Sequence, residues 1–127
     1  MNKREPVTIG IAGLGGYAGA VRMFVSEAAR RDPRWGEPLV RLEAVCDVDP
    51  SAHDEVVEEL QAAGVKVHDS FETLLEEPVE AVYLPLPIHL HRSFAEQALA
   101  AGKAVVCEKP AAGCIDDVDG MIAARDA

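Results

Sequence analysis

The run Val7-Thr8-Ile9-Gly10-Ile11-Ala12 passes directly into Gly13-Leu14-Gly15-Gly16-Tyr17-Ala18-Gly19-Ala20. That junction limits the folds open to the chain. An apolar, partly β-branched run reads as a strand covered on both faces, as in a parallel sheet. The glycines end it in a turn. Val21, Phe24, Val25 and Ala28 then recur at helical spacing. Within this strand–turn–helix unit, Gly13, Gly15 and Ala18 match G-x-G-x-x-[G/A]. Gly13 would make the sharp turn. Gly15, with no Cβ, would let a pyrophosphate approach the main chain, and Ala18 would let the helix sit close to the strand. The free N–H groups and positive end of the helix would face the phosphates. Two readings fit the motif alone: a dinucleotide site, or a tight βα turn of the kind many α/β proteins carry.

The rest of the chain repeats the alternation. A loose lead-in, Met1 to Pro6, precedes the first strand, Val7 to Ala12. A helix is expected over Tyr17 to Arg30, then a loop with two prolines from Arg31 to Pro38 in which Trp35 is a packing plug or an exposed contact. A strand over Leu39–Cys46 ends at Asp47-Val48-Asp49-Pro50, where Asp49 can cap and Pro50 can start a helix. That helix buries Val56, Val57 and Leu60 and stops at Gly64. A short strand Val65–Val67, a helix Phe71–Glu77 capped by Asp69 or Ser70, and a strand Ala81–Leu84 follow. Pro85-Leu86-Pro87 forces an extended crossing. A helix His89–Ala101 presents Leu90, Phe94, Ala98 and Ala101. The strand Ala104–Cys107 and a helix from near Asp116 with Val118, Met121 and Ile122 inward complete the chain. With no hairpin signal, this alternation specifies an α/β fold with a doubly wound parallel sheet.

At 127 residues the chain is one domain, 1–127. Its net charge of −10 and the lack of a basic patch argue against nucleic acid. No apolar run approaches the ~20 residues of a membrane span. Cys46, Cys107 and Cys114 lack metal or C-x-x-C spacing and read as small buried hydrophobes. An odd cysteine count with no signal peptide points to the cytoplasm. His53 and His68 read as exposed.

Asp47 ends the second strand, where a carboxylate holds the adenosine ribose in dinucleotide-binding sheets. It lies 34 residues after Gly13 rather than the usual ~20, and the Arg31–Pro38 loop accounts for the excess. It either grips a ribose or caps the turn. A carboxylate there repels a 2′-phosphate, so NAD is expected over NADP. Arg41, in mid-strand, is not expected to compensate.

Three further stretches stand in a distinctive series: Pro87-Ile88-His89-Leu90-His91, Ala98-Leu99-Ala100-Ala101-Gly102-Lys103, and Val106-Cys107-Glu108-Lys109-Pro110. With the glycine turn and Asp47-Val48-Asp49-Pro50, the chain resembles the N-terminal domain of the glucose–fructose oxidoreductase / inositol dehydrogenase (Gfo/Idh/MocA) family. Glu108-Lys109-Pro110 is the most specific piece. The resemblance implies a Rossmann domain that binds NAD(P), truncated before the last strand and before a C-terminal α/β domain for a sugar, inositol or related polyol. It assigns the pyrophosphate turn to Gly13, Leu14, Gly15, Gly16, Tyr17 and Ala18, and the ribose to Asp47. Leu84, Pro85, Leu86 and Pro87 would lie along the cofactor. Leu86-Pro87-Ile88 stands where many members have Thr-Pro-Asn, so a polar contact is lost. His89 and His91 match histidines at that helix start, where they either meet the cofactor or only cap the helix.

Glu108 and Lys109 would line the nicotinamide end, with Lys109 as the catalytic cation beside the substrate hydroxyl. A positive charge there stabilises the developing alkoxide and can relay its proton. Pro110 would fix the backbone behind it, with a cis bond possible at that position. The resemblance implies an oxidoreductase parent, expected to be a homo-oligomer. The alternative from another class is a non-catalytic NAD(P)-binding module. Either way, a sheet that lacks its last strand exposes an edge and an apolar face, so this length of chain is expected to be poorly stable or to associate.

Overall fold

The computed structural model describes residues 5–29 and 38–127. The expected lead-in through Arg4, the end of the first helix at Arg30, and the loop carrying Trp35 lie outside the described residues.

Five parallel strands form one sheet in the order β3-β2-β1-β4-β5. They are β1 (Val7–Ala12), β2 (Val40–Cys46), β3 (Lys66–His68), β4 (Ala81–Leu84) and β5 (Ala104–Cys107). Helices α1 (Tyr17–Ala29), α2 (Asp54–Ala62), α3 (Phe71–Leu75), α4 (Ile88–Ala100) and α5 (Ile115–Asp126) fill the connections, with a 3₁₀ turn at Pro50–His53 ahead of α2. The order of strand addition reverses between β1 and β4, which pair in parallel through Ile9–Ala81, Gly10–Val82 and Ile11–Tyr83. That switch point opens a crevice at the carboxyl ends of the strands, where such sheets bind their ligands.

Strand alternation sends β1 side chains to two cores. Ile11 joins Leu14, Val21, Val45 and Val65 beneath α1 and α2, with Val56, Val57, Leu60 and Tyr83 packed against them. Ala12 joins Ala44, Leu74, Val82, Leu84, Ala95 and Ala98 beneath α3 and α4, with Phe94 and Met121 at its border. Gly10 permits this second layer. A Cβ there would lie 2.9 Å from Leu74 Cδ2, so the bare strand is what lets α3 settle on the sheet. The β1–β2 ladder slips between Ile9 and Gly10, where Ile9 faces Leu42 and Gly10 faces Ala44.

Several local expectations are corrected. Ile122 is exposed rather than inward. The buried face of α4 is His91, Ala95 and Ala98. Phe94 is half-buried, its ring 4.7 Å from that of Phe71, and Ala101 is the exposed C-cap. Asp49 starts the 3₁₀ turn but makes no side-chain cap bond to it; its carboxylate accepts the Ser51 hydroxyl instead. Ser70, not Asp69, caps α3 by accepting the Thr73 N–H. Cys46 is buried, but Cys107 is half-buried and Cys114 exposed. His68 is not a free surface group: its Nε2 lies 3.0 Å from Glu77, whose carboxylate also takes Lys66 at 2.6 Å. Strand β5 is an edge, with Val106 half-exposed. No helix among the described residues is long and apolar enough to cross a membrane.

Candidate nucleotide site

The glycine turn is built from main chain. Gly13 takes φ +111° and Gly16 φ +58°, both in the region that side chains disfavour. The Gly13 N–H donates to the Cys46 carbonyl at 2.6 Å, which ties the turn to the end of β2. A Cβ on Gly13 would meet that of Ala18 at 3.6 Å, an ordinary contact, so it is the positive φ rather than crowding that calls for glycine there. Gly15, Gly16 and Tyr17 are exposed at the positive end of α1. Among the described residues, no hydrogen bond engages the N–H groups of Gly15 and Gly16. Two free donors at a helix N-terminus, with no side chain of their own in the way, suit an anion.

Asp47 points into this turn. Its Oδ2 accepts the Leu14 N–H at 2.9 Å and its Oδ1 accepts the Asp49 N–H at 3.0 Å. An ionised carboxylate has about four acceptor positions, so roughly two remain for hydroxyl groups. The cap reading and the ribose reading of Asp47 are therefore compatible in one side chain. Leu14 differs from expectation, because its N–H is spent on Asp47 and its side chain is in the core.

Two side chains join the turn that the sequence did not single out. Arg22, one turn into α1, donates to the Leu14 carbonyl at 2.7 Å, and burial pulls its guanidinium down from its ordinary value. His53, expected to be merely exposed, has its Nε2 3.9 Å from Asp47 Oδ2. Its Cε1 would lie 3.0 Å from a Cβ on Gly15, so the imidazole roofs the bare glycine. A D-x-D-P segment that begins a helix could have flagged His53, since it delivers a side chain back over the preceding βα turn.

The other half of the crevice lies at the ends of β4 and β5. Leu84 is fully buried in the core, so only its main chain can line a ligand. Pro85 and Leu86 are half-buried, and Pro87 is exposed at the start of α4. His89 is exposed, but His91 is 1% exposed, and its ring is turned away from solvent. Nδ1 of His91 lies 3.1 Å from both the Pro110 and Ala111 carbonyl oxygens, and Nε2 lies 2.7 Å from that of Leu86. Its expected place against the cofactor is thus corrected: every polar atom of the ring is engaged by main chain. Tyr83, another residue not foreseen, donates its phenol to Glu108. That bond, with burial and the negative charge of Glu108, pushes the phenol up to about 12. Lys109 is exposed, and among the described residues its ammonium has no hydrogen bond or ion pair. The Lys109–Pro110 bond is cis.

A switch-point crevice floored by a glycine turn, with a carboxylate at the end of the neighbouring strand, defines the Rossmann class of nucleotide-binding domain. Comparison with known proteins makes this specific. The model of an oxidoreductase family with an NAD-binding Rossmann fold matches residues 7–126, and the chain belongs to that Gfo/Idh/MocA family. An inositol 2-dehydrogenase from Rubrobacter xylanophilus is 31% identical over 122 residues, which are 95% of this chain and 32% of the relative. The structure of the WlbA dehydrogenase from Chromobacterium violaceum, in complex with NADH and UDP-GlcNAcA, superposes with TM-score 0.82 at 26% identity, covering 98% of this chain and 33% of that one. Scyllo-inositol dehydrogenase from Lactobacillus casei, solved with NAD(H) and scyllo-inositol, gives TM-score 0.72 at 27% identity, covering 94% and 33%. A 3-ketoreductase from Actinomadura kijaniata, solved with NADP, gives 0.75 at 26%, covering 96% and 34%. The chain therefore spans about a third of the length of these relatives, their N-terminal part.

Proposed function

We propose that this chain is the cofactor-binding part of an NAD-dependent oxidoreductase that moves hydride to or from a sugar, inositol or related polyol. The observation that carries the reading is Asp47, turned into the glycine bend with acceptor capacity to spare, beside the unengaged N–H groups of Gly15 and Gly16. Those donors and the end of α1 would hold the pyrophosphate. Asp47 would accept from the adenosine ribose, and its charge favours NAD over NADP. Glu108 and Lys109 would border the nicotinamide end. The nicotinamide, when bound, supplies the hydride chemistry. Lys109 supplies a cation next to the substrate oxygen, stabilising charge there and passing on its proton. Its lack of an ion-pair partner among the described residues supports that role, because a paired ammonium would be a weaker electrophile.

The residues that would select the substrate belong to the two-thirds of the relatives that this chain does not match. The ligands bound in two of those relatives, UDP-GlcNAcA and scyllo-inositol, support polyhydroxylated substrates. The test is a titration of the chain with NADH and NADPH followed by nicotinamide fluorescence, with ADP as competitor. Saturable NADH binding that ADP displaces, tighter than NADPH, is the expected result. The absence of saturable binding for both dinucleotides would leave only a Rossmann scaffold and end the proposal.

A further inference from the structure

The Glu108-Lys109-Pro110 turn has little to hold it in place through the sheet. Strand β5 is an edge with β4 as its neighbour, and the last paired residues are Leu84 and Cys107. From Glu108 onward the main chain leaves the ladder, and α5 does not begin until Ile115. Fixing such a stretch costs about 1–2 kcal/mol per residue in backbone entropy. Yet the turn is gripped on both sides of Lys109. Before it, Glu108 accepts the phenol of Tyr83, which rises from the layer under α1 and α2. After it, Pro110 and Ala111 present their carbonyls to His91, whose helix packs on the opposite layer. The other nitrogen of His91 reaches the Leu86 carbonyl. One ring thus joins the end of β4 to the turn after β5.

We infer that Tyr83 and His91 are positioning residues. From opposite faces of the sheet they pin the two neighbours of Lys109, while its ammonium, with no hydrogen bond or ion pair among the described residues, stays free to serve the nicotinamide end of the crevice. This rests on the nucleotide reading above for where the lysine points, but not for the two ties themselves. Preorganisation of this kind matters because a displaced cation loses its effect over a short distance.

The test starts from His91→Phe and Tyr83→Phe, each keeping a ring and removing the polar atoms, with His91→Gln as the rescue variant. Two readouts are compared. Amide hydrogen exchange, resolved by NMR, is expected to speed up roughly three- to tenfold at residues 107–112 in each variant, the effect of losing one buried hydrogen bond, while β1, β2 and α1 keep wild-type protection. NADH affinity is expected to fall by a similar factor, while affinity for ADP, which lacks the nicotinamide end, stays unchanged. His91→Gln, which restores a donor, is expected to recover part of both losses. Exchange that stays at wild-type rates at 107–112 overturns the ties. Exchange that rises evenly along the chain, or ADP affinity that falls with NADH affinity, shows a role in general stability and overturns the positioning. If His91→Phe does not fold, Tyr83→Phe alone decides by the same criteria. Wild-type chain that binds neither nucleotide removes the reading of the site, and exchange at 107–112 then still decides whether the turn is tied.

Discussion

Replacing Asp47 with asparagine separates the two duties of that carboxylate. In the native chain it accepts two main-chain N–H groups, from Leu14 at 2.9 Å and Asp49 at 3.0 Å. Asparagine keeps one oxygen acceptor and turns an NH₂ donor toward the other N–H. Leu14 is buried, so an N–H left facing a donor there costs about 1–3 kcal/mol. At roughly 4 °C per kcal/mol for a domain of this size, Asp47→Asn is expected to lower Tm by about 4–12 °C. The effect on binding is read well below that temperature. Loss of a charged acceptor for a ribose hydroxyl, about 1.5–3 kcal/mol, weakens NADH by roughly ten- to 150-fold. NADPH affinity is expected to hold or rise, because the repulsion of a 2′-phosphate is gone. Paired fluorescence titrations of both cofactors, with thermal melts of both proteins, make the comparison. An equal loss for NADH and NADPH would refute the reasoning, since it would mean that Asp47 shapes the turn and touches no ribose.

Three further outcomes are expected. Gly10→Ala overpacks Leu74 and is expected to cost about 1–3 kcal/mol in urea denaturation, with the double variant Gly10→Ala/Leu74→Ala less destabilised than the separate losses together; strict additivity would show that the 2.9 Å approach is harmless. Lys66 and His68 hold the Glu77 carboxyl below its ordinary value of 4.5, so the stabilisation it brings is present above that pH and drains away as pH falls through its lower native value. Glu77→Gln is therefore expected to flatten the acid limb of a urea-midpoint-against-pH curve, and an unchanged limb would dismiss the pair. Burial pushes the Cys46 thiol up to about 12, whereas Cys114 is exposed, so a thiol reagent at neutral pH is expected to label Cys114 first and Cys46 only on unfolding, as mass mapping would reveal.

The parallel sheet was legible in β1 because a six-residue, nearly all apolar run followed by glycine leaves few alternatives, and the structure puts its bounds where the pattern did. Asp47 was legible for the same reason: a carboxylate at the end of a buried strand has one place to go. The face of α4 was misread. Ala98 is buried as its spacing implies, but the rest of the buried stripe is His91 and Ala95, because carbonyls from the preceding loop and from the turn after β5 converge on the His91 ring. His53 escaped notice for a related reason. Its partner Asp47 is six residues away, but the glycine it covers is in another βα unit.

Local pattern therefore determined the strands, the glycine turn and the acid beside it, since each depends on periodicity or backbone freedom within one short stretch, while Glu108-Lys109-Pro110 stood out through the family resemblance. The tertiary structure alone decided which side chains close on those features: His53 and Arg22 on the glycine turn, Tyr83 and His91 on the lysine turn. Arg22 reaches back within its own βα unit, but strand order sets the other neighbours, since β3-β2-β1-β4-β5 places side by side segments that are far apart in the chain. A hydrogen bond across such a gap leaves no periodic trace in sequence, because it needs only one polar atom at the right end of an adjacent strand.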